Sequence, residues 1–246
     1  MLNILVLLGG SSLYFDREEY PFPKPLIEID GISMIEHVIN NLNSINEEKR
    51  FIFVVKKEDC IKYHLDSVLN LLTDNQCRII KLDADTQGAV CSSLMAIDYI
   101  NNDDKLIVCN GDQVIEADFN QVLGQFASNN LDAGVICFES VHPKWSFARL
   151  DENGKIIETV EKNPISKNAI AGFYFYKKGS FFVEAAKKTI EKDANVNGLY
   201  FISSTYNELV LENKNLEIFR IKPSQYLSFY SPKKIEEYER EKLKCR

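Results

Sequence analysis

Asn3-Ile4-Leu5-Val6-Leu7-Leu8-Gly9-Gly10-Ser11-Ser12 is the most informative run in the chain. Its almost unbroken apolar residues suit a strand covered on both faces, the pattern of a parallel sheet. The glycine pair that stops it lets backbone approach a polyphosphate closely, so that N–H groups can meet phosphate oxygens. A tight turn explains a glycine pair as well, and the loop therefore needs support from elsewhere.

That support begins with rhythm. Ser33 and Glu36 have the spacing of a capping box, and Met34, Ile35, Val38, Ile39, Leu42 and Ile45 form one apolar stripe, which predicts a helix from Ser33. Strands are expected at 51–55, 78–82 and 105–109, and helices at 61–72 and 89–100. Strand and helix alternating in this way predict an α/β fold with a mostly parallel sheet and helices on both faces. After Asp112 the pattern changes. A helix is expected at 118–128, then strands at 133–138, 147–150, 156–160 and 169–176, with Asp151-Glu152-Asn153-Gly154 as a hairpin turn. Helices at 179–191 and 200–211, a strand at 216–221 and a helix opened by Ser231-Pro232 complete the chain. Residues 1–246 read as one domain, with a nucleotide-binding half over 1–115 and a mixed acceptor-binding half over 116–246.

Composition narrows the classes. With 246 residues, 45% of them hydrophobic, the chain can bury a substantial core. A net charge of −7 opposes general binding to nucleic acid or an anionic membrane, so any bound anion must be met by local cations. The N-terminal apolar run has no basic leader and is too short for a spanning helix, which predicts a cytoplasmic protein. Cys60, Cys77, Cys91, Cys109, Cys137 and Cys245 stand far apart with no metal-ligand spacing, and read as small hydrophobes in a reducing compartment.

Ligands of an open parallel sheet collect beyond the carboxyl ends of its strands. Besides the glycine loop, two features fall there. In Pro21-Phe22-Pro23-Lys24-Pro25-Leu26 the prolines stiffen the backbone around Lys24, in an extended form, so that its ammonium is aimed from a rigid support. Asp112, just past the strand that ends at Cys109, is placed to hold Mg²⁺, which takes a carboxylate together with water and substrate phosphates. A solvated lysine in a rigid connection and an ordinary turn aspartate are the plainer readings.

Taken together, Leu8-Gly9-Gly10-Ser11-Ser12, Pro23-Lys24-Pro25-Leu26, Thr86-Gln87-Gly88-Ala89, Asn110-Gly111-Asp112 and Glu161-Lys162 have the order and spacing of the nucleotidyltransferases that activate sugar phosphates and phosphocholine. Gly31-Ile32-Ser33-Met34-Ile35-Glu36, His142-Pro143-Lys144-Trp145-Ser146-Phe147-Ala148-Arg149 and Ala171-Gly172-Phe173-Tyr174 resemble the family's short capsule-biosynthesis branch. The resemblance implies a glycosyltransferase-A-like Rossmann fold, Mg²⁺ as cofactor, and CTP joined to a small phosphorylated acceptor, with L-glutamine phosphate as the specific expectation. Phosphocholine and a sugar 1-phosphate stay open as acceptors, and so does a homo-oligomer. By position, Leu8, Gly9, Gly10, Ser11 and Ser12 would surround the nucleotide, Lys24 would contact its phosphates, and Gly88 and Ala89 would lie against the base. Asp112 would bind the metal and Lys162 would reach the acceptor phosphate; an ion pair with Glu161 is the plainer reading of Lys162.

Two departures stand out. Where the family has a loop arginine this chain has Leu13, with Arg17 four residues further on as a substitute clamp. Where it has a second metal-binding aspartate this chain has Ser228, which leaves Asp112 alone or assisted by another acid such as Glu208. Asp83 or Asp85 is expected to accept from the amino group of cytosine and so favour CTP, unless both belong to a solvated acidic loop. His37, His64 and His142 offer no catalytic set, though His142, Lys144 and Trp145 could line an acceptor pocket. A glycosyltransferase of the same architecture and a non-catalytic nucleotide sensor are the competing functions.

Overall fold

The expected first strand lies at the centre of the sheet. A computed structural model describes residues 1–10, 14–16 and 18–245. Strand β1 (Leu2–Leu7) is buried along nearly its whole length. A minimal hairpin of β2 (Glu28–Ile29) and β3 (Ile32–Ser33) turns on Asp30 and Gly31, both with positive φ, and leads into α1 (Met34–Asn43). The expected capping holds α1 at its start, Ser33 Oγ accepting from the Glu36 amide at 3.3 Å. The hairpin was not expected, although Asp-Gly is its usual signature.

Strand β4 (Lys49–Lys56) pairs parallel with β1. The single helix expected over 61–72 is two helices, α2 (Lys57–Tyr63) and α3 (Leu65–Leu72), parted by His64 at φ 54° and ψ 35°. His64 donates its N–H to the Cys60 carbonyl and accepts from the amides of Ser67 and Val68, so the break leaves no orphaned backbone group there. The kink brings Cys60, Leu65 and Leu69 inward together. Strand β5 (Cys77–Leu82) follows, and the helix expected over 89–100 is likewise interrupted, into α4 (Ala89–Leu94) and α5 (Ile97–Ile100). Strand β6 (Lys105–Asn110) completes a parallel block in the order β6-β1-β4-β5.

Strand β7 (Gln113–Ile115) leaves this sheet, and α6 (Phe119–Ser128) returns the chain to β8 (Ala133–Glu139). The antiparallel hairpin of β9 (Ser146–Leu150) and β10 (Ile156–Glu161) then joins β11 (Asn168–Tyr176). Strand β11 runs antiparallel to both β6 and β8, and so welds the second half onto the first in one sheet of nine strands. Helices α7 (Gly179–Glu191) and α8 (Ile202–Leu211) precede β12 (Leu216–Ile221), which lies parallel to β8. Strand β13 (Tyr226–Ser228) pairs with β7 in an unexpected two-stranded ribbon, and α9 (Pro232–Cys245) ends the chain.

Alternation within each strand divides the core. Ile4, Val6, Phe51 and Phe53 face α1, α3 and α6 through Ile35, Leu69 and Phe126, while Leu5, Ile52, Val54 and Val108 face α4, α7 and α8 through Val90, Phe182 and Tyr206. The fold is therefore α/β, with helices on both faces of a sheet that is parallel through its centre. Each fully buried Phe or Leu contributes about 1.5–3 kcal/mol over an exposed one. A third cluster joins Phe15, Ile27, Ile29 and Met34 to Phe229, Ile235 and Tyr238, so the C-terminal segment is fastened over the first loop.

The cysteines behave as expected in the core: Cys60, Cys77, Cys109 and Cys137 are buried and unbridged, and burial pushes the Cys109 thiol up to about 12. No helix among the described residues is long and apolar enough to cross a membrane.

Candidate active site

The carboxyl ends of β1, β4, β5 and β6 open onto one cavity of about 720 Å³. Leu8, Gly9 and Gly10 line it after β1, Lys56 at the end of β4, Asp85 and Thr86 after β5, Asn110 at the end of β6, and Gly111 and Asp112 after it. Lys24, Gly88 and Ala89 also line it, so eight of the expected site residues meet around one space: Leu8, Gly9, Gly10, Lys24, Asp85, Gly88, Ala89 and Asp112. Ser11, Ser12, Leu13 and Arg17 lie outside the described residues.

Close packing explains the glycines. A Cβ on Gly111 would lie 2.0 Å from Leu8 Cδ2 and 3.1 Å from the Leu7 carbonyl oxygen, so the loop after β6 rests closely on the loop after β1 and a side chain there would have to displace Leu8. Gly88 caps α4 at φ 101° and ψ −179°, a conformation reserved for glycine. Gly172 sits in a bulge of β11 at φ 60°, where its carbonyl accepts from Gln113 Nε2 at 2.9 Å.

Lys24 starts a turn of 3-10 helix, Lys24–Leu26, and not the extended segment its prolines suggested. Pro25 has the φ that a first helical turn requires, and the amides of Leu26 and Ile27 close on the carbonyls of Pro23 and Lys24 at 2.8 and 3.2 Å. The support is stiff nonetheless. From it the Lys24 ammonium reaches Asp112 Oδ2 in direct contact and lies 5.6 Å from the centre of the Phe15 ring. The Asp112 carbonyl accepts from the Phe229 amide at 2.8 Å, which ties the loop after β6 to the C-terminal segment.

Three expected residues lie apart from this group. Asp83 does not line the cavity; it pairs with Lys57 at 2.6 Å on the surface, whereas Asp85 lines the wall and pairs with Lys56 at 2.7 Å. Glu208 is buried in α8 and pairs with Lys192 at 2.6 Å, away from the cavity. Lys162 is not among the lining residues. At φ 57° it follows β10, with its ammonium 4.9 Å from the centre of the Phe201 ring, beside the segment that brings Leu199 to the cavity wall.

Beside Lys162, Glu161 turns inward. Burial pushes its carboxyl above the usual glutamate range, against the pull of hydroxyl donation from Ser146 and Ser203 and of the Lys162 charge. On the same side Lys144 lies 4.3 Å from the Trp145 ring centre and 4.0 Å from that of Tyr230, and Trp145 packs on Phe138 and Tyr226. His142 is exposed and accepts from the Lys144 amide at Nδ1. Sequence reasoning missed Phe15, Lys56, Tyr63 and Leu199 as lining residues. Only Lys56 carried a signal, as a cation at the carboxyl end of a central strand.

Among the described residues no three His, Cys, Asp or Glu side chains gather to hold a metal ion. Asp112 nevertheless suits an oxygen-seeking divalent ion such as Mg²⁺. It presents a partly open carboxylate at the cavity wall, an ammonium already stands in as its cation, and such an ion draws its other ligands from water and phosphate.

The chain is 25% identical over 216 residues to the bifunctional protein GlmU of Methanococcus aeolicus, covering 86% of this chain and 48% of that one, so it spans about half the length of that relative. It is 22% identical over 225 residues to the UTP–glucose-1-phosphate uridylyltransferase AglF of Haloferax volcanii, covering 89% of this chain and 88% of that one. The fold superposes on a nucleoside-diphosphate-sugar pyrophosphorylase from Vibrio cholerae RC9 with a TM-score of 0.83 at 22% identity, over 98% of this chain and all of that one. The family model described as nucleotidyl transferase matches residues 20–222, and the chain belongs to that family.

Proposed function

We propose that the chain transfers a nucleotidyl group from an NTP to a small phosphorylated acceptor and releases pyrophosphate. The observation that carries this reading is the convergence of Lys24, Asp112 and the Leu8–Gly10 loop on one cavity at the carboxyl ends of parallel strands. An oxygen of the acceptor phosphate attacks the α-phosphorus while the bond to pyrophosphate breaks. An ionised phosphate is already a nucleophile, so the task of the protein is to bring two polyanions together and neutralise them.

Residues 1–115 hold the nucleotide in this reading. Leu8, Gly9 and Gly10 supply backbone to it, Gly88 and Ala89 flank the base, and Lys24 meets the phosphates. Asp112 would hold Mg²⁺, and the ion would supply neutralisation of phosphate charge. Residues 116–246 hold the acceptor, with Lys162 directed to its phosphate and the inward Glu161 able to accept from a donor on its body.

The names of the relatives support a sugar 1-phosphate as acceptor. CTP with L-glutamine phosphate, in capsule biosynthesis, is the second reading, supported by the resemblance around Ala171-Gly172-Phe173-Tyr174. A matrix of four NTPs against glucose 1-phosphate, other sugar 1-phosphates, phosphocholine and L-glutamine phosphate, monitored by pyrophosphate release, tests both. Pyrophosphate at the level of a protein-free blank with every pair would refute the reaction and favour a nucleotide sensor.

A further inference from the structure

Lys24 and Asp112 are each other's partners. The ammonium rests on Asp112 Oδ2, under the Phe15 ring, and the two side chains keep 17% and 25% of their exposure. Neither hangs from a loose segment: Lys24 is set in a proline-bounded turn, and Asp112 is tied through its carbonyl to Phe229. Phe15 is itself buried, packed edge-on against Tyr20 at 5.2 Å, so the aromatic side of this small enclosure is built and not incidental.

We propose that Lys24 is the resident cation of the Asp112 site, keeping a divalent ion off the carboxylate until a nucleotide's phosphates draw the ammonium away. The proposal rests on the nucleotide-binding role given to this cavity. Its physical basis is competition for a single carboxylate. An ammonium in direct contact and a divalent ion on the same oxygens would lie close enough to repel strongly. A triphosphate resolves the conflict, because it offers Lys24 several anionic oxygens in exchange for one. The divalent ion and the nucleotide then enter together, and the free protein has little affinity for the ion alone. Lys24 thereby serves both as a phosphate ligand and as the guard of the metal position.

The test is a titration of the full chain with Mn²⁺ alone, followed by calorimetry and by the electron paramagnetic resonance of free Mn²⁺. Lys24→Met should bind one Mn²⁺ at least roughly tenfold more tightly than wild type, since an opposite unit charge in direct contact is worth about a decade of affinity even at the dielectric of water. Adding Asp112→Asn to Lys24→Met should abolish the gained ion. Lys24→Gln, a polar substitute of similar length, provides the same comparison should the methionine variant not fold. Equal Mn²⁺ affinity in wild type and in the folded Lys24 variant, or a gained ion that survives Asp112→Asn, overturns the proposal. The titration contains neither nucleotide nor acceptor. Its failure would therefore refute the resident cation while leaving the transfer reaction intact, and a silent pyrophosphate assay would refute the reaction instead.

Discussion

A Cβ built on Gly88 would stand 2.6 Å from the carbonyl oxygen of Tyr200 and 2.7 Å from its amide nitrogen. The Tyr200 amide donates to the Gln87 carbonyl at 2.9 Å, and the Val90 amide donates to the Tyr200 carbonyl at 3.1 Å. Backbone from the second half of the chain is thus locked to the cavity edge in the first, with no room for a side chain between them. Gly88→Ala should lose about 1–3 kcal/mol from the backbone conformation alone, and more from the contact. Urea unfolding measures the stability, and a raised KM for the nucleotide should accompany the loss because Gly88 lines the cavity.

Lys24→Ala and Asp112→Asn should each lower kcat/KM for pyrophosphate release by at least about a hundredfold, the usual cost of removing one charge-stabilising group from a desolvated site. The single-turnover rate at saturating nucleotide separates a loss in the chemical step from a loss in binding. Full activity in Lys24→Ala would remove it from the reaction.

Asp83 and Asp85 separate by position. Asp83 faces Lys57 away from the cavity, whereas Asp85 lines the wall with Lys56. Asp83→Asn should leave the ratio of CTP to UTP turnover unchanged within about twofold, because this carboxylate pairs with Lys57 and does not line the cavity. Asp85→Asn should change the ratio or the nucleotide KM; identical profiles for both variants would place base selection elsewhere.

Glu161 predicts a pH dependence. Burial raises its carboxyl above the ordinary value of 4.5, so the folded state holds this proton more tightly than the unfolded chain does. Stability from this group is therefore present in acid and lost as pH rises through the raised value. Glu161→Gln should gain stability relative to wild type on going from pH 4 to pH 8, read from urea midpoints at both. Acceptor turnover should fall in the same variant if Glu161, next to Lys162 in the chain, accepts from the acceptor as proposed.

Much of the architecture could be read from local pattern. The buried strand Leu2–Leu7, the Ser33 cap and the helix Gly179–Glu191 each follow from residues within one turn or one strand, where periodicity and capping act. The breaks at His64 and Ala96 could not be read this way, because their reward is the burial of Leu65 and Val90 against strands distant in sequence. The ribbon of Gln113–Ile115 with Tyr226–Ser228 is likewise a long-range pairing of two three-residue segments, too short to declare themselves.

The same division runs through the site. Proline stiffness at Lys24, glycine at 88 and an acid beyond β6 are local chemistry, and the chain specifies them residue by residue. That Lys24 rests on Asp112, that Asp85 lines the cavity while Asp83 turns to the surface, and that the half-buried Glu161 accepts from Ser146 and Ser203 are outcomes of packing. Side-chain direction and desolvation depend on neighbours brought from far along the chain, and those neighbours exist only once the sheet has closed.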